Sequence, residues 1–127
     1  MFYKGKERRL HKRHDVYWDA LLEVKFPDFQ GQIPVKVINF SIKGAVLHSK
    51  QFSAGDRHLI LSDEKPELKL IISLPEIDLK SRIKIIWYKL LHEESVFQVG
   101  TEFIDFMEKN RISVDKLMKI IKGNQEI

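Results

Sequence analysis

Two short segments of the sequence carry side chains that could together hold an anionic ligand with flat bases. The first is basic and lies ahead of the first strand-like run, with Arg8, Arg9, Lys12 and Arg13 close together. In an extended chain, residues four apart lie on the same side at a separation of roughly 13 Å. Arg9 and Arg13 could therefore contact two parts of one mid-sized ligand. The guanidinium group pairs bidentately with phosphate oxygens or with O6 and N7 of guanine, and its flat face stacks on bases.

The second segment is the cluster Asn39, Ser41 and Gly44, spaced as N-x-S-x-x-G, with Lys43 inside it. If the chain is extended there, Asn39 and Ser41 share a face, and both can hydrogen-bond bases, phosphates or backbone. Gly44 permits a positive φ or a close approach of the backbone to a ligand. The same residue types also build ordinary turns through bonds from side chain to backbone. Taken alone, this segment does not decide between a turn and a binding site.

The charge distribution separates a basic arm from a neutral body. The chain has 127 residues and a formal net charge of +4. Residues 1–15 contain six Lys or Arg and two Asp or Glu, so this arm accounts for the whole excess. A localised cationic arm attracts phosphates, nucleic acid or an acidic protein surface. A tail that only aids solubility is the alternative for the arm considered by itself.

Several classes of site are not expected from the composition. The chain has no cysteine, which excludes disulfides, thiolate catalysis and Cys-ligated metals. His48, His58 and His92 lie on separate segments without metal-ligand spacing, so we predict no metal site. Ser41 lacks a G-x-S-x-G elbow and an identifiable base partner, so we predict neither a catalytic residue nor an enzyme.

The apolar patterning also bears on location. No apolar run approaches the roughly 20 residues of a membrane helix, and the polar start of the chain shows no signal peptide. We therefore expect a cytoplasmic protein without membrane insertion. We also expect His11 and His14, which flank the arginines, to be solvated; a pH-dependent charge beside a phosphate is the alternative.

Apolar alternation predicts the elements that must position the two segments. Residues 16–26 and 32–40 alternate as half-buried strands, and Pro34 indicates either a strand start or an edge position. Further strand-like runs follow at 45–49, 58–61, 68–74, 77–80, 83–90 and 97–103. Near the C-terminus the period changes to that of an amphipathic helix, with the apolar residues Val114, Leu117, Met118 and Ile121.

Many short strands followed by one helix predict a mainly β fold. We expect a small antiparallel six-stranded type of β-barrel with a C-terminal α-helix. The domain would span residues 16–127, with residues 1–15 as the basic N-terminal arm. Trp87 should alternate with Ile85 and Ile83 and lie in the barrel core; a stacking platform at the barrel mouth is the alternative.

The order and separation of the two motifs resemble those of the PilZ domain family, bacterial receptors for cyclic di-GMP. The family pattern is R-x-x-x-R, a strand, and then a strand ending in [D/N]-x-S-x-x-G. Arg9 to Arg13 match the first motif, and Asn39, Ser41 and Gly44 match the second. The segments Ile85-Ile86-Trp87 and Val99-Gly100-Thr101-Glu102-Phe103 are similar to later strands of the family. The resemblance covers residues 7–127.

The resemblance implies roles for individual residues. Arg9 and Arg13 would clamp phosphate and guanine, with Arg8 as an additional ligand residue. Asn39, Ser41 and Gly44 would form the turn that reads the opposite guanine, and Lys12, Lys43 and Trp87 would be peripheral. The family more often has Asp where this chain has Asn39. An Asn offers a donor and an acceptor but loses the charge-assisted component of an Asp.

The implied function is a cyclic di-GMP receptor in bacterial second-messenger signalling, such as motility or biofilm regulation. The nucleotide would order the arm and change a surface that binds a protein partner of unknown identity; no other cofactor is expected. One alternative is a nucleotide-independent adaptor for motility, pilus or secretion machinery. A small barrel that binds RNA or single-stranded DNA is the weaker alternative, because the body is neutral and Phe97, Phe103 and Trp87 fall on expected core faces.

Overall fold

The computed structural model describes residues 13–55, 57–59, 61, 63–106, 110 and 114–124. The strands are β1 (His14–Phe26), β2 (Phe29–Ser41), β3 (Gly44–Ser49), β4 (Ser53–Ala54), β5 (Arg57–His58), β6 (Glu67–Ser73), β7 (Asp78–Leu91) and β8 (Val96–Phe103). The C-terminal helix α1 spans Val114–Asn124. The predicted arm residues Arg8, Arg9, His11 and Lys12 lie outside the described part of the chain.

Six strands form a closed antiparallel barrel in the order β1-β2-β3-β8-β7-β6. The barrel closes because β1 pairs with β6, from the pair Ala20 and Ile72 to the pair Lys25 and Glu67. Strand β1 also pairs with β2, with one register shift between Asp15 and Trp18. The two short strands β4 and β5 form a separate hairpin. The predicted mainly β fold, a six-stranded antiparallel barrel with a C-terminal helix, is confirmed.

Strand β1 shows how the alternating sequence produces this fold. Every second side chain from His14 to Phe26 is buried and the residues between them face outward. Burial of that apolar face against the other strands supplies the main driving force for folding. His14 is only 5% exposed, so the expectation that it is solvated is wrong. It occupies an inward position on the same face of β1 as Val16. Strand β1 thus begins at His14, ahead of the predicted strand-like run 16–26.

Pro34 occupies an edge position, which is the second of the two alternatives predicted for it. Strand β3 pairs with β2 only from Lys36 to Ser41, so Pro34 has a ladder partner on one side, Leu21 of β1. Because proline lacks an N–H donor, this one-sided position suits it. The strand itself starts five residues earlier, at Phe29.

Strand β7 is longer than predicted, because the runs 77–80 and 83–90 form one strand. Ser81 joins them at an inward position between Leu79 and Ile83. Its hydroxyl shares one proton between the Arg82 carbonyl oxygen at 2.8 Å and Asp105 Oδ1 at 3.2 Å. A small side chain with a local acceptor can be buried there without an unsatisfied donor. Of the predicted strand 58–61, His58 belongs to β5, Leu59 and Leu61 lie in turns, and residue 60 is outside the described residues.

Two β-bulges interrupt the alternation, one in β2 between Val37 and Asn39 and one in β7 between Ile85 and Trp87. Each bulge inserts one residue and reverses which positions face inward. After the bulge in β7, Tyr88 packs on the core, whereas Trp87 is 43% exposed. The expectation of a core tryptophan at position 87 is therefore wrong, and the inserted residue Ile86 is the reason.

Helix α1 packs onto the barrel through its apolar stripe. Leu117 and Ile121 are fully buried and belong to the same core cluster as the strands, with Met118 partly buried beside them. The amphipathic pattern is confirmed for Leu117, Met118 and Ile121, and the side chain of Val114, the fourth residue of the predicted stripe, lies outside the described part of the chain. Among the described residues, no helix has the length and apolar character needed to cross a membrane.

Asp105, just after β8, ties that end of the barrel to β7. Its carboxylate accepts from the Arg82 backbone N–H at 3.0 Å, the Arg82 guanidinium at 3.1 Å and the Ser81 hydroxyl at 3.2 Å. Burial raises the pKa of Asp105, but these hydrogen bonds to its ionised form outweigh that effect, so its pKa lies below the ordinary value of 3.8.

Candidate functional site

The predicted site residues meet at a polar cleft of about 170 Å³ that crosses β2, β3, β8 and β7. Residues distant in sequence reach it because these strands are neighbours in the barrel. The predicted residues that line the cleft are Arg13, Asn39, Ser41, Lys43, Gly44 and Trp87. The remaining three predicted residues, Arg8, Arg9 and Lys12, lie outside the described part of the chain.

Ser41 shapes the turn between β2 and β3. It is 6% exposed, its Oγ accepts from the Lys43 backbone N–H at 3.1 Å, and its hydroxyl lies 3.5 Å from the Gly44 carbonyl. This is the bond from side chain to turn backbone that serine commonly makes. Ser41 therefore fixes the wall of the cleft, and Lys43 at the tip of the turn is exposed.

Gly44 allows β3 to approach β8 closely. A Cβ at this position would lie 2.2 Å from the Thr101 carbonyl oxygen. Backbone and side-chain bonds hold the same region together, since the Phe103 N–H donates to the Lys43 carbonyl at 2.8 Å and the Thr101 hydroxyl to the Ala45 carbonyl at 2.8 Å. The close approach that the sequence predicted at Gly44 is thus made with a neighbouring strand, and no positive φ is involved.

Asn39 has a partner, Asp15, that no sequence motif predicts. It lies directly opposite Asp15 in the β1–β2 ladder, and its Nδ2 donates to Asp15 Oδ1 at 3.1 Å. The bulge in β2 turns Asn39 away from the core, since Val37 and Phe40 on either side are fully buried. No sequence signal marks Asp15, because it falls in the segment predicted as the basic arm. The family pattern gives it no role, and its pairing depends on the register between strands.

Trp87 forms one wall of the cleft by lying against Gly100. The two residues are ladder partners, and a Cβ on Gly100 would lie 2.2 Å from Cε2 and Nε1 of the indole. Glycine in a strand interior often marks such a close approach. Together with the 58% exposed Ile86, the indole provides an accessible apolar surface beside the polar turn.

The electrostatics of the cleft favour an anion. Arg13 and Lys43 are exposed cations on its lining, whereas the lining carboxylate Glu102 is paired with Lys84 at 3.7 Å. An exposed ion pair of this kind is screened by solvent and leaves little net field. The arrangement can hold a phosphate next to a flat base, with guanidinium and indole surfaces for stacking. Within the described ranges, no group of three or more His, Cys, Asp or Glu side chains could hold a metal ion.

A second, apolar cleft of about 720 Å³ adjoins the first, and Ile86 and Trp87 line both. Ile104, which is 53% exposed, also lines it. The two residues at the bulge of β7 therefore separate a polar cleft from an exposed apolar surface. Single exposed apolar residues are ordinary, but a contiguous group of them is typical of interaction sites.

Comparisons with known proteins identify the fold. No family model and no curated protein matches the chain. Among solved structures, the K. pneumonia MrkH–c-di-GMP complex is similar, with a TM-score of 0.58, 16% sequence identity and 91% of this chain covered. This chain spans about half of the MrkH chain, 52% of its length. At this identity, the similarity shows a shared barrel fold.

Proposed function

We propose that this chain is a PilZ-type receptor domain that binds cyclic di-GMP in the polar cleft. The observation that carries the proposal is convergence: Arg13, Asn39 and Trp87 come from distant segments of the sequence, yet line one cleft with the Ser41–Gly44 turn. The structural similarity to a protein described in complex with c-di-GMP supports the same ligand. The setting we propose is cytoplasmic second-messenger signalling in the control of motility or biofilm formation.

In the proposed complex, the cations and the polar turn contact different parts of the nucleotide. Arg13 would pair with phosphate or guanine, joined by Arg9 and Arg8 from the arm, because bidentate and stacking contacts both suit a guanidinium group. Asn39 would hydrogen-bond a guanine edge. Ser41 and Gly44 would act mainly by setting the shape of the turn, and Trp87 would offer its exposed ring as a stacking surface.

The response to ligand would be a change in the surface beside the cleft. A bound nucleotide that holds the arm against Trp87 and Ile86 would alter the adjoining apolar cleft, where a protein partner could dock. The ligand can shift this equilibrium only by its difference in affinity between the two arrangements. Ordering of the arm costs entropy, so the affinity should depend strongly on the arginine contacts.

A calorimetric titration of the whole chain with cyclic di-GMP tests the proposal. We expect saturable binding, and we expect Arg13→Ala to weaken it by about 1–3 kcal/mol, the range for hydrogen bonds to charged groups. The affinity of Arg13→Lys should lie between those of the wild type and Arg13→Ala, because lysine keeps the charge but loses the planar fork. Lys89→Ala is the control, since Lys89 is exposed on β7 and does not line the cleft.

The titration also separates the alternatives. No heat at tens of micromolar protein would count against the receptor. Capture of a motility, pilus or secretion component that is insensitive to nucleotide would then favour the adaptor. That reading has support of its own, because Ser41 and Gly44 already have structural roles in the turn. A salt-dependent shift with an oligonucleotide, absent with the dinucleotide, would favour nucleic-acid binding. We propose no enzymatic activity.

A further inference from the structure

We infer that Asp15 is a positioning residue that turns the carbonyl oxygen of Asn39 toward the ligand, so that Asn39 acts as a guanine-selecting acceptor. This inference rests on the proposed function and deepens it. It addresses the one position where the chain departs from the commoner residue of the family, because an asparagine by itself could present either its oxygen or its NH₂ group.

The geometry places Asp15 behind Asn39. The two residues are opposite each other on β1 and β2, and the Asn39 Nδ2 donates to Asp15 Oδ1 at 3.1 Å. Asn39 lines the polar cleft, whereas Asp15 does not. Asp15 can therefore affect a ligand in the cleft through its hydrogen bond with Asn39.

The chemistry of the pair fixes the orientation of the amide. An ionised carboxylate only accepts hydrogen bonds, whereas the Asn side chain carries donors on nitrogen and an acceptor on oxygen. A flipped amide would bring the Asn39 oxygen against the Asp15 oxygens without a proton between them. The NH₂ group therefore faces Asp15, and Oδ1 is on the branch turned away from it.

This orientation matches guanine better than adenine. The Watson–Crick edge of guanine presents N1–H and N2–H₂ as donors beside the O6 acceptor, whereas adenine presents the N1 acceptor beside its N6–H₂ donor. An oriented carbonyl oxygen can accept from the guanine donors, as a carboxylate would. An unrestrained amide could rotate to suit either base.

The same geometry makes the residue common in the family unfavourable in this chain. An aspartate at position 39 would stand directly opposite Asp15, and like charges directly opposite each other in a sheet are destabilising. The Asn39→Asp substitution should therefore weaken this domain and its binding, although it brings the motif closer to the family pattern. The double variant Asp15→Asn with Asn39→Asp should restore the hydrogen-bonded pair, with the carboxylate and the amide on opposite strands from those in the wild type.

A cycle of the wild type, Asp15→Asn, Asn39→Asp and the double variant tests the inference with cyclic di-GMP and cyclic di-AMP. We expect Asn39→Asp to bind cyclic di-GMP about two- to tenfold more weakly, and the double variant to recover most of the loss. Asp15→Asn should reduce the preference for the guanine dinucleotide by a similar factor, because the amide is then free to flip. Asp19→Asn is the matched control, since Asp19 is exposed on the same strand, does not line the polar cleft and changes the net charge equally.

Two results would overturn the inference: Asn39→Asp binding as tightly as the wild type, or Asp15→Asn leaving the selectivity unchanged. Thermal unfolding without ligand gives an independent readout, in which Asn39→Asp should melt below the wild type and the double variant should recover. If the wild type binds no cyclic di-GMP, the proposed function and the guanine selection fall together. The melting temperatures then decide the pairing, and equal values for all four proteins would reject it.

Discussion

The β1–β6 side of the barrel keeps a regular alternation of inward and outward side chains, whereas β2 and β7 on the other side each contain a β-bulge. On the first side, the inward face continues without a break from His14 to Phe26 and pairs in register with β6. On the second side, each of β2 and β7 changes its inward face at one inserted residue. Among the described residues that we propose contact the nucleotide, Asn39 and Trp87 lie at these two bulges. Arg13 directly precedes β1, whose first residues pair with β2 next to its bulge.

The comparison shows how one barrel can provide both a stable scaffold and a site. Unbroken alternation commits every second side chain to the core and leaves the rest to solvent. A bulge turns a side chain that would be buried to the outside, which is why bulges occur next to functional sites. Here the bulges turn Asn39 and Trp87 outward on strands that are otherwise regular.

The largest expected effect lies on the regular side. Leu70 is 1% exposed on β6 and pairs with Leu22 of β1. Leu70→Ala should lower the free energy of unfolding by about 2–5 kcal/mol, because a buried cavity remains. Urea denaturation followed by circular dichroism measures this loss. A loss of unfolding free energy smaller than that of the surface substitution Ile86→Ala would contradict the division between the two sides.

Gly44→Ala should come next, at about 1–3 kcal/mol of lost stability, because the added methyl group meets the Thr101 carbonyl and both strands must shift. Gly123→Ala is the matched control: nothing lies within 4 Å of its Cβ and it is in helix α1. That substitution should be neutral or stabilising by up to about 1 kcal/mol. Equal melting temperatures for the two variants would show that Gly44 is not needed for strand packing.

Asp105→Asn should have a smaller effect that depends on pH. The pKa of Asp105 is held below its ordinary value, so its ionised form stabilises the folded state above the unfolded-state pKa. That contribution is lost as the pH falls through the folded-state pKa. The variant should be less stable by about 1 kcal/mol at pH 7, and the difference should shrink below about pH 4. Denaturation curves at pH 7 and pH 3 measure it; a pH-independent difference would contradict the assigned cause.

The smallest effect is expected at the bulge itself. Ile86→Ala removes apolar surface from a side chain that is 58% exposed, so stability should change by no more than about 0.5 kcal/mol. Because Ile86 lines both clefts, its removal should be detected in partner binding instead. A loss comparable to that of Leu70→Ala would mean that the bulged side carries core packing as well.

Much of the scaffold follows from local patterns. Alternation and period, which reflect burial on one face, predict the inward residues of β1, the apolar stripe of α1 and the break between β2 and β3. The site could be predicted only as two motifs, because Asn39, Ser41 and Gly44 fit a turn as well as a binding surface. Ser41 has a structural role in the turn and Gly44 has one in the contact between β3 and β8. Binding stays a prediction, which the neighbours of these residues in space support.

The sequence alone determined the class of fold, the faces of the regular strands and which residue types could hold an anionic ligand with flat bases. Tertiary structure decided that Trp87 lies outside the core, that Gly44 faces Thr101 and that Asn39 is paired with Asp15. The physical reason is register. A single inserted residue reverses the inward face of everything after it, and its position is set by which strands pair when the barrel closes. That pairing joins distant residues, so no local pattern along the chain contains it.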